Sequence, residues 1–388
     1  MREVAVIGIG VTKFGELWDK SYRELAIEAG LLAMKDAKIS SEDIDAMYLG
    51  NMSAGRLVEQ EHVGALAADY AGLVTRNVPS TRIEAADASG GLAFRHGYLA
   101  VASGMHDIVV VGGAEKMTDA NDMQVVETLA SSSDVEWEAF FGGTLPALFA
   151  MMARRHMHEY GTTKAQLASV AVKNHKHGMK NPNAQFRNEI KVDAVVKATM
   201  VADPLGLFDC SPLSDGAAAV ILCPLDKAKK YTDKPVKVIG SGQASDMLAL
   251  HDRKSLTSIS STVAAAKRAF EQAKKKPSDI DVAELHDSYT IAEIISIEDL
   301  GFSKPGEAAK GVENGEFSLG GRLPINTSGG LKARGHPLGA TGVAQVVEIV
   351  HQLRGTAGER QVKDAKVGLT HNLGGTGGTA VVHIFERA

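Results

Sequence analysis

Ile83-Glu84-Ala85-Ala86-Asp87-Ala88-Ser89-Gly90-Gly91-Leu92-Ala93 leads from a strand-like segment at 81–85 into small residues at 89–102 that read as a helix. Asp87 falls in the turn between them. At such a corner the free amides and the positive end of the helix dipole point at whatever side chain is present. Aspartate is a good N-cap, and acyl-transfer enzymes place nucleophiles at such corners. Local sequence favours the cap, and only the rest of the chain can decide.

Outward from this corner the rhythm of strand and helix extends both ways. Val4 to Gly8 reads as a buried strand, 21–37 as an amphipathic helix with Leu25, Ala29, Leu32 and Ala33 inward, and Ala46 to Leu49 as a second strand. A small-residue helix at 58–71 precedes the corner, and the strand Asp107 to Gly113 follows it. This is β-α-β-α-β-α-β, a sheet with helices packed on it. The pattern then returns. Val236-Lys237-Val238-Ile239-Gly240 echoes Val4 to Gly8, and Ser278-Asp279-Ile280-Asp281-Val282 echoes Glu42-Asp43-Ile44-Asp45-Ala46. Ser328-Gly329-Gly330-Leu331 echoes Ser89-Gly90-Gly91-Leu92, ahead of a helix at 340–353. Several echoes in one order predict a duplicated pair of α/β halves. The halves are 1–118 with 206–232, and 233–388, closing on strands at 366–370 and 379–385. Residues 119–205 break the rhythm and read as an inserted loop domain, with helices at 145–160 and 164–177.

A chain of 388 residues, 44% hydrophobic and 23% charged, is long enough for two such halves and reads as soluble, cytoplasmic and unprocessed. No apolar run predicts a membrane span. A net charge of −5 without a basic cluster argues against a nucleic-acid partner. Cys210 and Cys223 form no disulfide framework or zinc ribbon. Gly8–Gly15 lacks a full dinucleotide fingerprint, and His156/His158 and His175/His177 are spaced for different faces of their helices, so no metal ligation is expected of them. The 40 glycines cluster between apolar strands, as where backbone approaches a ligand closely.

The second half carries three histidine loops: Glu284-Leu285-His286-Asp287-Ser288-Tyr289, Gly335-His336-Pro337-Leu338-Gly339-Ala340-Thr341-Gly342, and His371-Asn372-Leu373-Gly374-Gly375. All three fall at strand ends or helix starts, as residues lining one cleft would, and histidine is the natural general base near neutral pH.

Two α/β halves, x-Ala-Ser-Gly before a helix, His-Asp-x-aromatic, Gly-His-Pro-x-Gly-Ala-Thr-Gly and a glycine-rich last turn together resemble the thiolase superfamily. Gly112 to Asp119, Trp137 to Gly143 and Ala153 to Tyr160 are most like the archaeal acetyl-CoA acetyltransferases and sterol-carrier-type thiolases. The resemblance implies two β-α-β-α-β-α-β-β halves in α/β/α/β/α layers, and Claisen condensation of two acetyl-CoA to acetoacetyl-CoA and CoA. It implies no cofactor, a coenzyme A thioester being the substrate. It further implies a homodimer or tetramer paired through a sheet edge near Ile108 to Val111. Its other partners would be 3-hydroxy-3-methylglutaryl-CoA synthase and a zinc-ribbon/OB-fold protein, feeding the mevalonate pathway. His336 would activate the nucleophile, His286 would hold the thioester oxygen, and His371 and Asn372 would complete the site. Ser211, Ser328 and Gly329 would meet coenzyme A.

The departures are as informative as the matches. The nucleophilic cysteine of the family is Asp87 here, the cysteine of His-Asp-Cys-Phe is Ser288, and the terminal Cys-x-Gly aligns with Asn372 or, one residue shifted, His371. Three readings stay open: a silent acyl-CoA-binding or scaffold protein, a variant of a thiolase that carried the cysteine, and a site using Asp87 for thioester hydrolysis.

Overall fold

A computed structural model describes residues 1–388. Eleven strands form: β1 Val4–Val11, β2 Ala46–Gly50, β3 Ser80–Ile83, β4 Val109–Glu115, β5 Met200–Ala202, β6 Leu205–Gly206, β7 Gly216–Pro224, β8 Val236–Ser245, β9 Val282–Glu284, β10 Val367–Gly374 and β11 Thr379–Arg387. Nine of them make one sheet in the order β3-β2-β4-β7-β1-β8-β11-β10-β9. The duplication is visible in that order. From the centre outward, β1, β7, β4 and β2 are mirrored by β8, β11, β10 and β9, and β3 runs parallel to β2 as Ile325 bridges in parallel to Ala283 of β9. The echoed segments pair with each other: Val4 faces Val238, Ala5 faces Lys237 and Val6 faces Val236.

The second echo is repeated down to its hydrogen bonds. Ser41–Asp43 and Pro277–Asp279 each form one 3₁₀ turn. Asp45 then accepts from Asp107 and Ile108 N–H, and Asp281 from Lys366 and Val367 N–H. Each carboxylate thus satisfies the amides at the start of the strand next to its own, β4 or β10, which a buried sheet end requires.

Because side chains alternate across a strand, each half-sheet feeds two cores. Ala5, Ile7, Met47 and Ile221 pack under Leu25, Ala29 and Ala33 of the helix Tyr22–Ala37, which Ser21 and Glu24 close in a capping box. On the opposite face, Val4, Val6, Val111, Val220 and Val238 meet Phe94 and Val101 of the helix Ser89–Ser103 and Val343, Val346 and Val350 of the helix Leu338–Arg354. The third core covers the far side of the second half, with Leu369, Val382 and Ile384 against Ile291, Ile294 and Ala265. Two helices shared between half-sheets, with helices outside each, give the five layers. Leu148, Phe149, Met152 and Leu167 of the 119–205 insertion belong to this third core, so the insertion packs on the second half.

The small-residue helix expected at 58–71 is shorter, Val63–Tyr70, after a separate turn at Ala54–Leu57. The strand at 81–85 ends at Ile83. Pairing through 108–111 is not available, because β4 lies between β2 and β7; the sheet edges are β3 and β9. No helix is long and apolar enough to cross a membrane.

Burial of ionisable groups sets the acid stability. Burial pushes His175 down to about 4 and His177, His371 and His383 down to about 3. It pushes Glu115, Asp287 and Asp299 up to about 7. The four lowered groups stabilise the fold above pH 6.5 and lose that contribution as pH falls through 4 to 3. The three raised carboxyls stabilise it below their unfolded values near 4 and lose that contribution as pH rises through 7. Between pH 7 and about 5 the two sets oppose each other. Below about 4.5 the carboxyl gain is complete while the histidines continue to lose. The urea midpoint is therefore expected to change little from pH 7 to 5 and to fall steeply below about 4.5; a steep fall starting at 6.5 would contradict this balance.

Candidate active site

Asp87 and His336 are 249 residues apart in sequence, and glycines bring them together. Residues 89 and 338 begin the two central helices, whose N-terminal ends touch backbone to backbone. A Cβ on Gly90 would lie 2.4 Å from the Gly339 carbonyl oxygen, and one on Gly342 would lie 2.2 Å from the Gly91 nitrogen. Gly50 and Gly113, at the strand ends below, make similarly close approaches to Gly90 and Gly339. The positive ends of both helix dipoles therefore converge on one spot, and the Asp87 carboxylate occupies it.

Asp87 does not cap its helix. Ser89 Oγ accepts from Ala85 N–H and donates to Ala86 carbonyl oxygen, so the turn is closed locally without Asp87. Ala86 takes a left-handed φ of 50°, at a cost of about 1–3 kcal/mol, which turns the Asp87 side chain inward. Asp87 Oδ2 lies 3.3 Å from His336 Nε2 and 3.7 Å from His286 Nε2, all three side chains being buried. Asp87 Oδ1 and His286 Nε2 have no hydrogen-bond partner. Burial alone would raise the Asp87 carboxyl, but His286 and His336 outweigh it and hold it well below the usual carboxylate range.

The two imidazoles are held at Nδ1 in opposite senses. Thr341 Oγ1 donates to the Pro337 carbonyl, so it accepts from His336 Nδ1–H at 2.7 Å and leaves Nε2 to face Asp87. Asn372 Nδ2 donates to His286 Nδ1 at 3.2 Å while its Oδ1 accepts from Gly91 N–H, so His286 presents an Nε2–H donor. Burial lowers His286, with Asp87 opposing in part. At residue 87 His336 Nε2 and His286 Nε2–H converge: toward the Asp87 carboxylate His336 donates, and toward a protonated group there, such as a thiol, it would accept.

A family model described as "Thiolase, N-terminal domain" matches residues 4–226, and "Thiolase C-terminal domain-like" matches 242–387. The chain belongs to the thiolase family. It is 59% identical over its whole length, and that of the relative, to an acetyl-CoA acetyltransferase of Methanothermobacter thermautotrophicus. It is 34% identical to human sterol carrier protein 2, covering all of this chain and 72% of that one. The solved "Ltp2-ChsH2(DUF35) aldolase" matches with a TM-score of 0.86 and 28% identity over 98% of this chain and 97% of that one. Human mitochondrial 3-ketoacyl-CoA thiolase shares the fold, with a TM-score of 0.77 and 18% identity over 100% and 99%.

Set on this thiolase frame, the expected residues separate. His286 and His336 meet Asp87, and Asn372 meets His286 and Gly91 behind them. His371 does not: neighbours on a strand face opposite ways, and His371 Nε2 lies 3.0 Å from Thr262 Oγ1 in the helix Ser260–Ala273. The terminal turn therefore offers Asn372, not His371, to the site. Ser288 is buried with its hydroxyl unpartnered, and its carbonyl accepts from Ser211 N–H, which ties the Ser211 loop to the His286 loop. Ser328 Oγ donates to Glu284 Oε2 at 2.5 Å, and Gly329 packs on Gly178. That hydroxyl is engaged inside the protein, and the helix that answers Ser89–Ser103 begins at Leu338, not at the echoed Ser328-Gly329.

Three supports were not foreseen. Glu115 accepts from Met52, Ser53 and Gly339 N–H, clamping the His336 loop to the end of β4. Ser214 Oγ accepts from His336 N–H, and Asp287 accepts from Leu331 and Lys332 N–H at the start of the short helix that leads to His336. Glu115 and Asp287 lie inside the quoted motifs, but their partners are distant in sequence. Neither cysteine replaces the missing thiol: burial pushes Cys210 and Cys223 up to about 12, far from a nucleophilic thiolate.

Proposed function

We propose that this thiolase has the architecture of an acetyl-CoA C-acetyltransferase, condensing two acetyl-CoA to acetoacetyl-CoA and CoA, with that two-step transfer blocked by Asp87. The observation that carries the reading is the convergence of His336 Nε2 and His286 Nε2–H on residue 87 at two helix N-termini. With a thiol there, His336 would take its proton and the thiolate would attack the acetyl carbonyl. The departing CoA sulfur would then recover that proton from His336, now free to take the α-proton of a second acetyl-CoA. No titratable side chain stands at 288 or 372 to do so instead. The enolate oxygen would meet His286 Nε2–H, a donor aimed at developing charge, and the carbanion would attack the enzyme-bound acetyl carbon, expelling the enzyme thiolate, which recovers the proton from His336.

Aspartate cannot carry this sequence. Its carboxylate is stabilised as the anion, and attack on a thioester would form a mixed anhydride open to water. Its charge would also oppose an oxyanion forming beside it. No cofactor enters; the coenzyme A thioester is the substrate, with Ser211, placed beside the His286 loop, against its pantetheine arm. Ser328 and Gly329 would act through the course of the backbone. A homo-oligomer, an assembly with 3-hydroxy-3-methylglutaryl-CoA synthase through a zinc-ribbon/OB-fold protein, supply of the mevalonate pathway and a cytoplasmic setting complete the proposal. They draw on the family resemblance and on a solved relative named together with a second protein.

Asp87 itself favours a second reading, a silent acyl-CoA-binding or scaffold protein. Acetoacetyl-CoA thiolysis separates the two: the chain with Asp87 is expected to be silent and Asp87→Cys active. Robust turnover with Asp87 in place would overturn the block, and silence of both would leave the binding protein.

A further inference from the structure

We propose that Asp87, His286 and His336 form a binding site for one divalent cation of the zinc class. This goes beyond the acyl-transfer reading and would leave it standing if it failed, because it concerns only what the aspartate makes possible.

One carboxylate and two imidazoles are a common donor set for zinc and its neighbours. The candidate ligand atoms here are Asp87 Oδ2, His286 Nε2 and His336 Nε2, all within 4.8 Å of one another. Zinc bonds of 2.0–2.1 Å in a tetrahedron separate the ligand atoms by about 3.4 Å. The two spacings from Asp87, 3.3 and 3.7 Å, bracket that value; an octahedral ion would need about 3.0 Å, so the tetrahedral class fits better. Two buried polar atoms, Asp87 Oδ1 and His286 Nε2, lack any partner and border this point, a costly arrangement unless something else satisfies them.

The surroundings supply what a ligated histidine needs. A metal-bound imidazole normally donates its other N–H, and His336 Nδ1–H already does so to Thr341. His286 must move its proton to Nδ1, and a half-turn of the Asn372 carboxamide would supply the acceptor. That turn gives up the 3.3 Å hydrogen bond from Gly91 N–H and sets the Asn372 amide nitrogen against it, a cost the metal–ligand bond must outweigh. Three protein ligands leave a fourth position open, as in catalytic zinc sites. A cysteine at 87 with a neutral histidine pair would serve acyl transfer, whereas the fixed charge of Asp87 compensates a cation.

The test uses the full chain stripped with a chelator and titrated with cobalt(II), a spectroscopic stand-in for zinc. Uptake of one equivalent with the intense visible bands of tetrahedral cobalt is expected, displaced by zinc. Asp87→Asn, close in shape, and His336→Ala should each abolish the bands, while the exposed His251→Ala should keep them. Urea midpoints identify any variant that has lost its fold; for such a position the conservative His336→Gln serves instead. No tetrahedral spectrum in the parent chain, or one that survives Asp87→Asn in folded protein, would overturn the proposal.

Discussion

Asp87→Cys is expected to raise acetoacetyl-CoA thiolysis by a factor on the order of 10⁶, because loss of the nucleophile from a covalent mechanism costs about that much. The change inserts a thiol where the other parts of the apparatus already stand. His336 keeps its Nε2 toward residue 87 through Thr341, His286 keeps its donor through Asn372, and two helix N-termini favour the thiolate. The shorter, uncharged side chain also removes the anion beside the forming oxyanion. Within Asp87→Cys, adding His336→Ala should remove a further 10²–10⁴-fold, the usual share of a general base. Thiolysis followed by loss of acetoacetyl-CoA absorbance reads both. A gain of less than about tenfold from a folded Asp87→Cys protein would show that another part of the site is defective.

Gly342→Ala is expected to destabilise the protein by about 2 kcal/mol or more, against the direction of helix propensity. Ala in a helix interior is about 1 kcal/mol better than Gly. At 342, however, the new methyl would sit 2.2 Å from the Gly91 nitrogen and 2.3 Å from Asn372 Oδ1, and the obstacle is the backbone of the other central helix, which no rotamer change relieves. Gly30→Ala, in the interior of the helix Tyr22–Ala37 with nothing within 4 Å of the new methyl, should instead gain about 0.5–1 kcal/mol. Urea midpoints of the two variants should move in opposite directions. Equal shifts would mean that the helices are not in backbone contact. Gly342→Ala should also push Asn372 off His286, so the same substitution beside Asp87→Cys should cost turnover.

Much of this molecule is legible from residues alone, because its signals are local or repeated. Period-two and helical patterns place most elements, and the paired Asp45 and Asp281 turns show the duplication before any coordinates. The histidine loops name His286 and His336 because strand ends and helix starts are where sites form. What failed required knowledge of facing. His371 and Asn372 differ by one residue, and which enters the site depends on the register of β10 against β9 and β11. The cap read at Asp87 was a fair local expectation, but Ser89 takes the local hydrogen bonds and frees the carboxylate to reach across to the second half. The helix expected at 340–353 beyond the Ser328 echo does form, as Leu338–Arg354. The supports from Glu115, Ser214 and Asp287 join segments up to 224 residues apart, a distance over which periodicity carries no information.

The placing of the two cysteines, Cys223 buried and Cys210 partly buried, also decides how this protein can be interrogated. Burial pushes both thiols up to about 12, so alkylating and disulfide reagents should react slowly with the intact chain. A thiol placed at 87 would then be the single handle on the surface of reactivity, open to stoichiometric labelling, to trapping with acyl probes and to titration of its own ionisation. The appearance of the two background signals would in turn clock the loss of the fold.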